Sequence, residues 1–374
     1  MNRSTRILTH GLAVVMTTAG GAARAGDLNP PPGPVAPTMK TLTEVEPRVA
    51  INATNSPGDA DSTFKIAQPG SYYLTGNITG VVGKHGIKIA ASGVTLDLNG
   101  FDLLGVAGSL DGVSVTVFNL TNIAIVNGSV RNWGGDGVNL WANAAHNCRV
   151  ADMLASGNTN SGIHIQSGGT VTNCSAYLNT GKGIDTSSTT TVTNCSAYQN
   201  GNTGINTLSA STVTKCSASN NNGAGISTGS GSTITNCSAY ENTGKGISTG
   251  GGCTVADCTT VFNALDGIMC AGGCVIRGNT CSTNGEGGDG AGIHATGAKN
   301  RIEGNNCTGA DRGIDVDAPL NFITRNAASG NTTNWDVAAG NVCLVVQGVA
   351  GAAILGNTGG VAPGSTDPNA NFTY

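Results

Sequence analysis

A glycine followed by Ile or Val recurs in one register at eleven positions, Gly86, Gly112, Gly137, Gly162, Gly183, Gly204, Gly225, Gly246, Gly267, Gly292 and Gly313. The intervals are 26, 25 and 25 residues, then five of 21, then 25 and 21. Two further columns keep the 21-residue beat: Asn158, Asn179, Asn200, Asn221, Asn242, Asn263 and Asn284, and Cys174, Cys195, Cys216, Cys237 and Cys258. Random drift does not hold independent registers together over so many units. Within a unit apolar residues alternate, as at Ile163 and Ile165, which is the strand period. One such unit cannot bury its apolar side alone, so successive units must stack. Residues 21 apart then lie above one another, and the ten steps from Gly86 to Gly313 predict a rod of ~48 Å at ~4.8 Å per step.

Composition narrows the architecture. Glycine supplies 58 of 374 residues, charged residues 11% and aromatics 4%. Gly, Asn, Thr and Ser are poor helix formers, the glycines have no three-residue collagen period, and 39% hydrophobic residues are too many for a disordered chain. A leucine-rich repeat shares the period and the Asn column but needs several Leu per unit, which are missing here. A hexapeptide helix needs coils in multiples of six, and 21 is not one. Parallel strand connections are right-handed by preference. The expectation is an all-β fold: a right-handed parallel β-helix over residues 60–342 with about 11 or more coils of 21–26 residues, closed by a capping tail over 343–374. Its glycines are expected at tight turns with positive φ. Its buried Asn column should satisfy its amides by bonding to neighbouring rungs and backbone.

The N-terminus reads as a secretion signal over residues 1–25. Arg3 and Arg6 precede an apolar stretch from Ile7 to Ala19, and Ala23-Arg24-Ala25 predicts cleavage after Ala25. The expected location is secreted, periplasmic or cell-surface. Residues 26–59 form an N-terminal extension with a Pro-rich linker, Asn29 to Pro37. No later stretch has the run of apolar residues that a transmembrane helix needs. A formal net charge of −4 without a basic block argues against a nucleic-acid partner.

The units GIHIQSGGTVTNCSAYLN (Gly162 to Asn179) and their copies resemble the coils of the pectin-lyase-like superfamily of right-handed β-helices, including its internal Asn ladder. Phe64 to Phe101 is similar to the opening coils of secreted bacterial β-helix repeat proteins, and Asn334 to Asn341 and Asp367 to Tyr374 to the way such chains close. The resemblance implies a fold, not one activity, since the superfamily includes lyases, hydrolases, epimerases, phage tailspikes and binding proteins. The chain has none of the N-T-D, D-D, G-H-G and R-I-K signatures of polygalacturonase-type hydrolases, the R-x-P-x-x-R of pectate lyases or the D-P-H-E of alginate epimerases.

Candidate chemistry therefore comes from the columns. One residue after each Gly-Ile lie Lys88, Ser114, Asn139, His164, Asp185, Asn206, Ser227, Ser248, Met269, His294 and Asp315, all expected to face outward. Stacking puts His164 one rung from Asp185 and His294 one rung from Asp315, each a His beside a carboxylate. Asp111, Asp136, Lys182, Lys245, Asp266 and Arg312 immediately precede the glycines. Asp136, His164 and Asp185 are the candidate catalytic set, if the protein is an enzyme. Trp133, Trp141, Lys88, Asn139 and Lys182 are candidate substrate-binding residues, the indoles because their flat apolar faces stack on sugar rings. Asp111 and Asp136 form a candidate acidic pair for a Ca²⁺ ion, the one cofactor the sequence suggests, or for a shared proton. The function expected is recognition of an extracellular polysaccharide on the side face. The alternatives are a polysaccharide lyase or glycoside hydrolase, and a structural or adhesive rod.

The Cys column reads as a stack of small buried residues. Cys253 and Cys274, 21 apart at a bend, are candidates for a disulfide between adjacent coils. Tyr177, Tyr198 and Tyr240 share an outward column and read as cross-strand packing rather than as a sugar ladder.

Overall fold

The computed structural model describes residues 46–115, 117–141, 145–285, 288–347, 355–357, 362–363 and 367–374. The segment 1–25 read as a secretion signal and the expected Asn29–Pro37 linker lie outside them. Residues Pro47–Tyr374 form one compact unit. It is a parallel β-solenoid with two sheets, one of 28 short strands and one of 14. Each coil lays one strand on the 14-stranded sheet, called here the Gly-Ile sheet, and in most coils two on the larger sheet, as Ile163–Ile165, then Thr170–Thr172 and Ser175–Tyr177. The register is the one the repeat dictates: Ile163 pairs with Ile184, His164 with Asp185, Val171 with Val192 and Tyr177 with Tyr198. No helix long and apolar enough to cross a membrane occurs among the described residues.

Inside each coil the Ile, Val and Ala columns pack into one continuous core, and the Asn column runs through it. Asn179 Nδ2 donates to Asn200 Oδ1 at 3.0 Å and to Ala155 O at 3.0 Å, and its backbone N–H donates to the same Asn200 oxygen at 3.1 Å. Asn200 repeats the set on Asn221. Each buried amide is thereby satisfied from the adjoining rung, as buried polar groups must be. A second Asn ladder continues the Cys column, through Asn279, Asn305, Asn326 and Asn371. Asn371 belongs to the C-terminal strand Asn371–Thr373, so the tail completes the solenoid. At the other end Val49–Ala50 pairs in parallel with Tyr72–Tyr73, so coiling starts before residue 60.

The repeated glycines serve a different purpose from the one expected. Gly183 does not adopt positive φ. A Cβ there would lie 2.6 Å from Gly204 O and 2.7 Å from Asn200 Nδ2, so the position is glycine because the ladder leaves no room for more. Left-handed backbone falls instead on the bend before each Cys, at Asn173, Asn194, Asn236 and Asp257 (φ 54–56°), residue types that tolerate it. Lys215 takes the same conformation, φ 54°, on its rung.

The Cys column is buried at these bends rather than within strands, and its thiols are free. Cys174 Sγ donates to Thr172 O at 3.2 Å. Cys253 and Cys274 are also free, which corrects the expected disulfide. Cys274 Sγ accepts the Cys253 N–H at 3.4 Å, as Ser232 Oγ accepts that of Ser211 at 3.2 Å, and each thiol donates to a carbonyl of an earlier rung. Contact with the Cys274 sulfur, and then burial, hold the Cys253 thiol well above its ordinary range. The two sulfurs are links in a hydrogen-bond column, not a bridge.

Candidate functional site

The outward column of the Gly-Ile sheet carries the chemistry. Asp136, 2% exposed, sits just before Gly137 and accepts the Ser161 N–H on Oδ1 at 2.8 Å. Its other oxygen, Oδ2, lies 3.3 Å from His164 Nδ1 on the next rung. His164 Nε2 faces Asp185 Oδ2 at 3.5 Å. Asp185 in turn receives the Lys182 ammonium at 3.0 Å and the Asn206 amide at 2.7 Å. Trp141 lies over the His164 ring, centroids 5.1 Å apart and planes 12° from parallel, and remains 49% exposed. A cleft of about 260 Å³ opens here between Trp141, His164, Lys182, Asp185, Asn206 and Leu208. Of the residues singled out in the sequence, Asp136, His164, Asp185, Lys182 and Trp141 meet at this point.

The others do not join it. Trp133 is fully buried, and its indole N–H donates to Leu103 O at 3.0 Å. It fills the space over Gly80, Gly86 and Gly112, so it is a core residue and cannot stack on a ligand. Lys88 lies three rungs from His164 and is closed off by ion pairs to Asp59, at 3.0 Å, and Asp61. Burial opposes its charge, but the bonds to Asp61 and Asp59 win and raise its pKa. Asn139 donates to Asp111 Oδ2 at 3.1 Å. Asp111 also accepts the Asp136 N–H on Oδ1 at 2.8 Å, and Oδ2 lies 3.5 Å from His85. Burial, followed by the charge of Asp136, raises the Asp111 carboxyl. All four oxygens of Asp111 and Asp136 thus face partners, and an ion shared between them would have to displace those partners.

A second cluster occupies the C-terminal end of the same column. Asp266 Oδ1 accepts the Ala291 N–H at 3.1 Å, and its Oδ2 lies 3.4 Å from His294 Nδ1. His294 Nε2 faces Asp317 at 3.1 Å and Asp315 at 3.7 Å. Arg312 reaches Asp336 at 2.9 Å, Asp315 at 3.5 Å and also Asp289. The bond to Asp266, with those around it, lifts His294 to about 9, while burial raises Asp315. His294, Asp315 and Asp317 present ligand atoms within 4.8 Å of one another, a grouping able to hold a metal ion. The cleft here measures about 440 Å³. Asp317 and Asp289 were not singled out in the sequence. Asp317 carries a signal all the same, since alternation places it on the same outward side as Asp315.

The remaining features read as structure. Tyr177 and Tyr198 stack at 5.4 Å on the larger sheet, and Tyr240 meets Phe262 edge-on at 5.8 Å. A groove of about 600 Å³ follows the regular bends beside the Cys column from Asn194 to Thr259 and offers only Lys215 and Asp257 as charged groups.

The family described as "Right handed beta helix region" matches residues 85–238 and 136–284. No curated protein matches the sequence. Among solved structures, the A-module of a mannuronan C-5 epimerase from Azotobacter vinelandii is similar at 14% identity and a TM-score of 0.48, over 73% of this chain and 90% of that one. The siphovirus 9NA tailspike receptor binding domain is similar at 12% identity and a TM-score of 0.47, over 87% of this chain and 80% of that one. The Dettilon tailspike protein is similar at 14% identity and a TM-score of 0.44, over 82% of this chain and 61% of that one.

Proposed function

The chain belongs to the right-handed β-helix family, and from that premise we propose that its Gly-Ile sheet binds a polysaccharide, with the cluster around His164 as the contact centre. The observation that carries the reading is the line Asp136–His164–Asp185–Lys182 beside the half-exposed Trp141 ring. Sugar hydroxyls need donors and acceptors close together, and charged partners make those hydrogen bonds stronger. The apolar face of a sugar ring needs a rigid flat surface, which an indole provides.

The lyase or hydrolase reading uses the same residues. Both nitrogens of His164 already face carboxylates, at 3.3 Å and 3.5 Å. An imidazole held at both ends is better placed to orient a ligand than to shuttle its protons, so binding is the favoured reading.

The test is a binding and activity screen on soluble xylan, dextran, polygalacturonate and alginate, with and without Ca²⁺. It compares Asp136→Ala with His164→Ala against the control pair Ser196→Ala with Ser217→Ala on the larger sheet. Loss confined to the first pair supports the reading, equal loss from both pairs overturns the placement, and no binding at all leaves a structural rod.

A further inference from the structure

The two clusters are one arrangement built twice. Asp136, Ser161, His164, Lys182 and Asp185 return 130 residues later as Asp266, Ala291, His294, Arg312 and Asp315. The contacts return with them. Each Asp accepts the N–H of the residue before the next Gly-Ile, at 2.8 Å and 3.1 Å, and braces Nδ1 of the His on that rung, at 3.3 Å and 3.4 Å. Each His turns Nε2 to the carboxylate one rung further on, at 3.5 Å and 3.7 Å. Each of those carboxylates pairs with the cation three residues before it.

Pairing along the sheet takes His164 to His294 through Asp185, Asn206, Ser227, Ser248 and Met269. Six rungs at ~4.8 Å place the two rings ~29 Å apart on one face. The track between them carries the short polar side chains of Asn206, Ser227 and Ser248 and one flexible Met, Met269. Both ends open into clefts, of about 260 Å³ and 440 Å³.

We propose that the His294 cluster is a second sugar site, and that one polysaccharide chain lies along the Gly-Ile sheet held at both clusters at once. This rests on the reading of the His164 cluster given above. The charge balance indicates the class of polymer. Around His294, Asp266, Asp289, Asp315, Asp317 and Asp336 outnumber Arg312 and the imidazole, and Asp317 stands where the first cluster has Ser187. Such a surface repels a polyuronate and offers acceptors to hydroxyls, so the ligand is a neutral, hydroxyl-rich chain. Two sites on one rigid support make the second contact intramolecular, which multiplies affinity by about 10²–10⁴ without new contacts.

The experiment measures binding of soluble xylan and dextran, with polygalacturonate as the acidic control, to the wild type, His164→Ala, His294→Ala and Ser227→Trp. Short fragments of the same polymers, unable to span ~29 Å, are measured beside them, and melting curves check folding. The expected result is that a neutral polymer binds and that either His variant weakens it by about 100-fold. Ser227→Trp, in mid-track, should weaken the polymer and not the fragments, and fragments should bind two per wild-type chain. Unchanged polymer binding by His294→Ala beside a loss in His164→Ala overturns the second site and leaves the first standing. Binding of polygalacturonate but of no neutral polymer overturns the neutral-chain inference and leaves the first reading standing, and no loss in either variant, or no polymer bound at all, overturns both.

Discussion

Asp136 and His164 belong to successive coils, yet the buried carboxylate of one stands 3.3 Å from Nδ1 of the other. The solenoid makes this possible, because a residue just before one Gly-Ile lies beside the outward position of the following rung. The carboxylate fixes the orientation of the ring from behind, and Trp141 covers its face. The same relation joins Asp266 to His294 at 3.4 Å.

The stability contributed by His294 should depend on pH. Its pKa is lifted to about 9, chiefly by the bond to Asp266, against ~6.5 in an unfolded chain. The charged ring therefore stabilises the fold fully below pH ~6.5, and that contribution is lost as the pH rises towards 9. Melting followed from pH 6 to 10 should show a loss of about 1–3 kcal/mol that His294→Gln lacks. Identical pH profiles for the two proteins would remove the charged pair.

The two indoles should separate cleanly. Trp133→Ala opens a hole in the core and should cost about 3–5 kcal/mol, seen as a large fall in melting temperature. Trp141→Ala removes a half-exposed ring and should leave melting within about 0.5 kcal/mol of wild type. Its effect should appear only in polysaccharide binding.

Replacing Asn200 or Asn221 with Leu should destabilise the rod by about 1–3 kcal/mol, because neighbouring amides and carbonyls lose their partners. Denaturant melts measure this directly. An unchanged midpoint would mean that the ladder bonds contribute nothing.

Cys253→Ser should melt like the wild type, within about 0.5 kcal/mol, since Ser232 already fills the equivalent place one coil earlier. Thiol titration of the denatured protein should find Cys253 and Cys274 both reactive without a reductant. A requirement for reductant would restore the bridge.

What the sequence disclosed followed from register. A 21-residue beat places His164 beside Asp185 and stacks the Asn side chains, because in a parallel sheet sequence period and spatial neighbourhood coincide. It discloses less where direction or an aperiodic partner decides. Trp133 and Trp141 lie on the same long coil, yet one is core and the other faces the cleft. The clue is that Trp133 stands 25 residues before Asn158, on the inward Asn column, and its backbone N–H donates to Asn158 Oδ1. The partners of Lys88, Asp59 and Asp61, precede the regular repeat, so no register could position them. Cys253 and Cys274 are neighbours as expected, but adjacency does not say whether a sulfur faces another sulfur or an N–H.

The near-identical coils between the two histidines behave as a graduated ruler. Inserting or deleting one whole 21-residue unit there would move the clusters apart or together by a single graduation of ~4.8 Å, leaving every contact inside each cluster intact. Reach along a polymer is thereby decoupled from grip. On the two-site proposal, the length of polymer spanned would be reset by copying a unit, without redesigning either end.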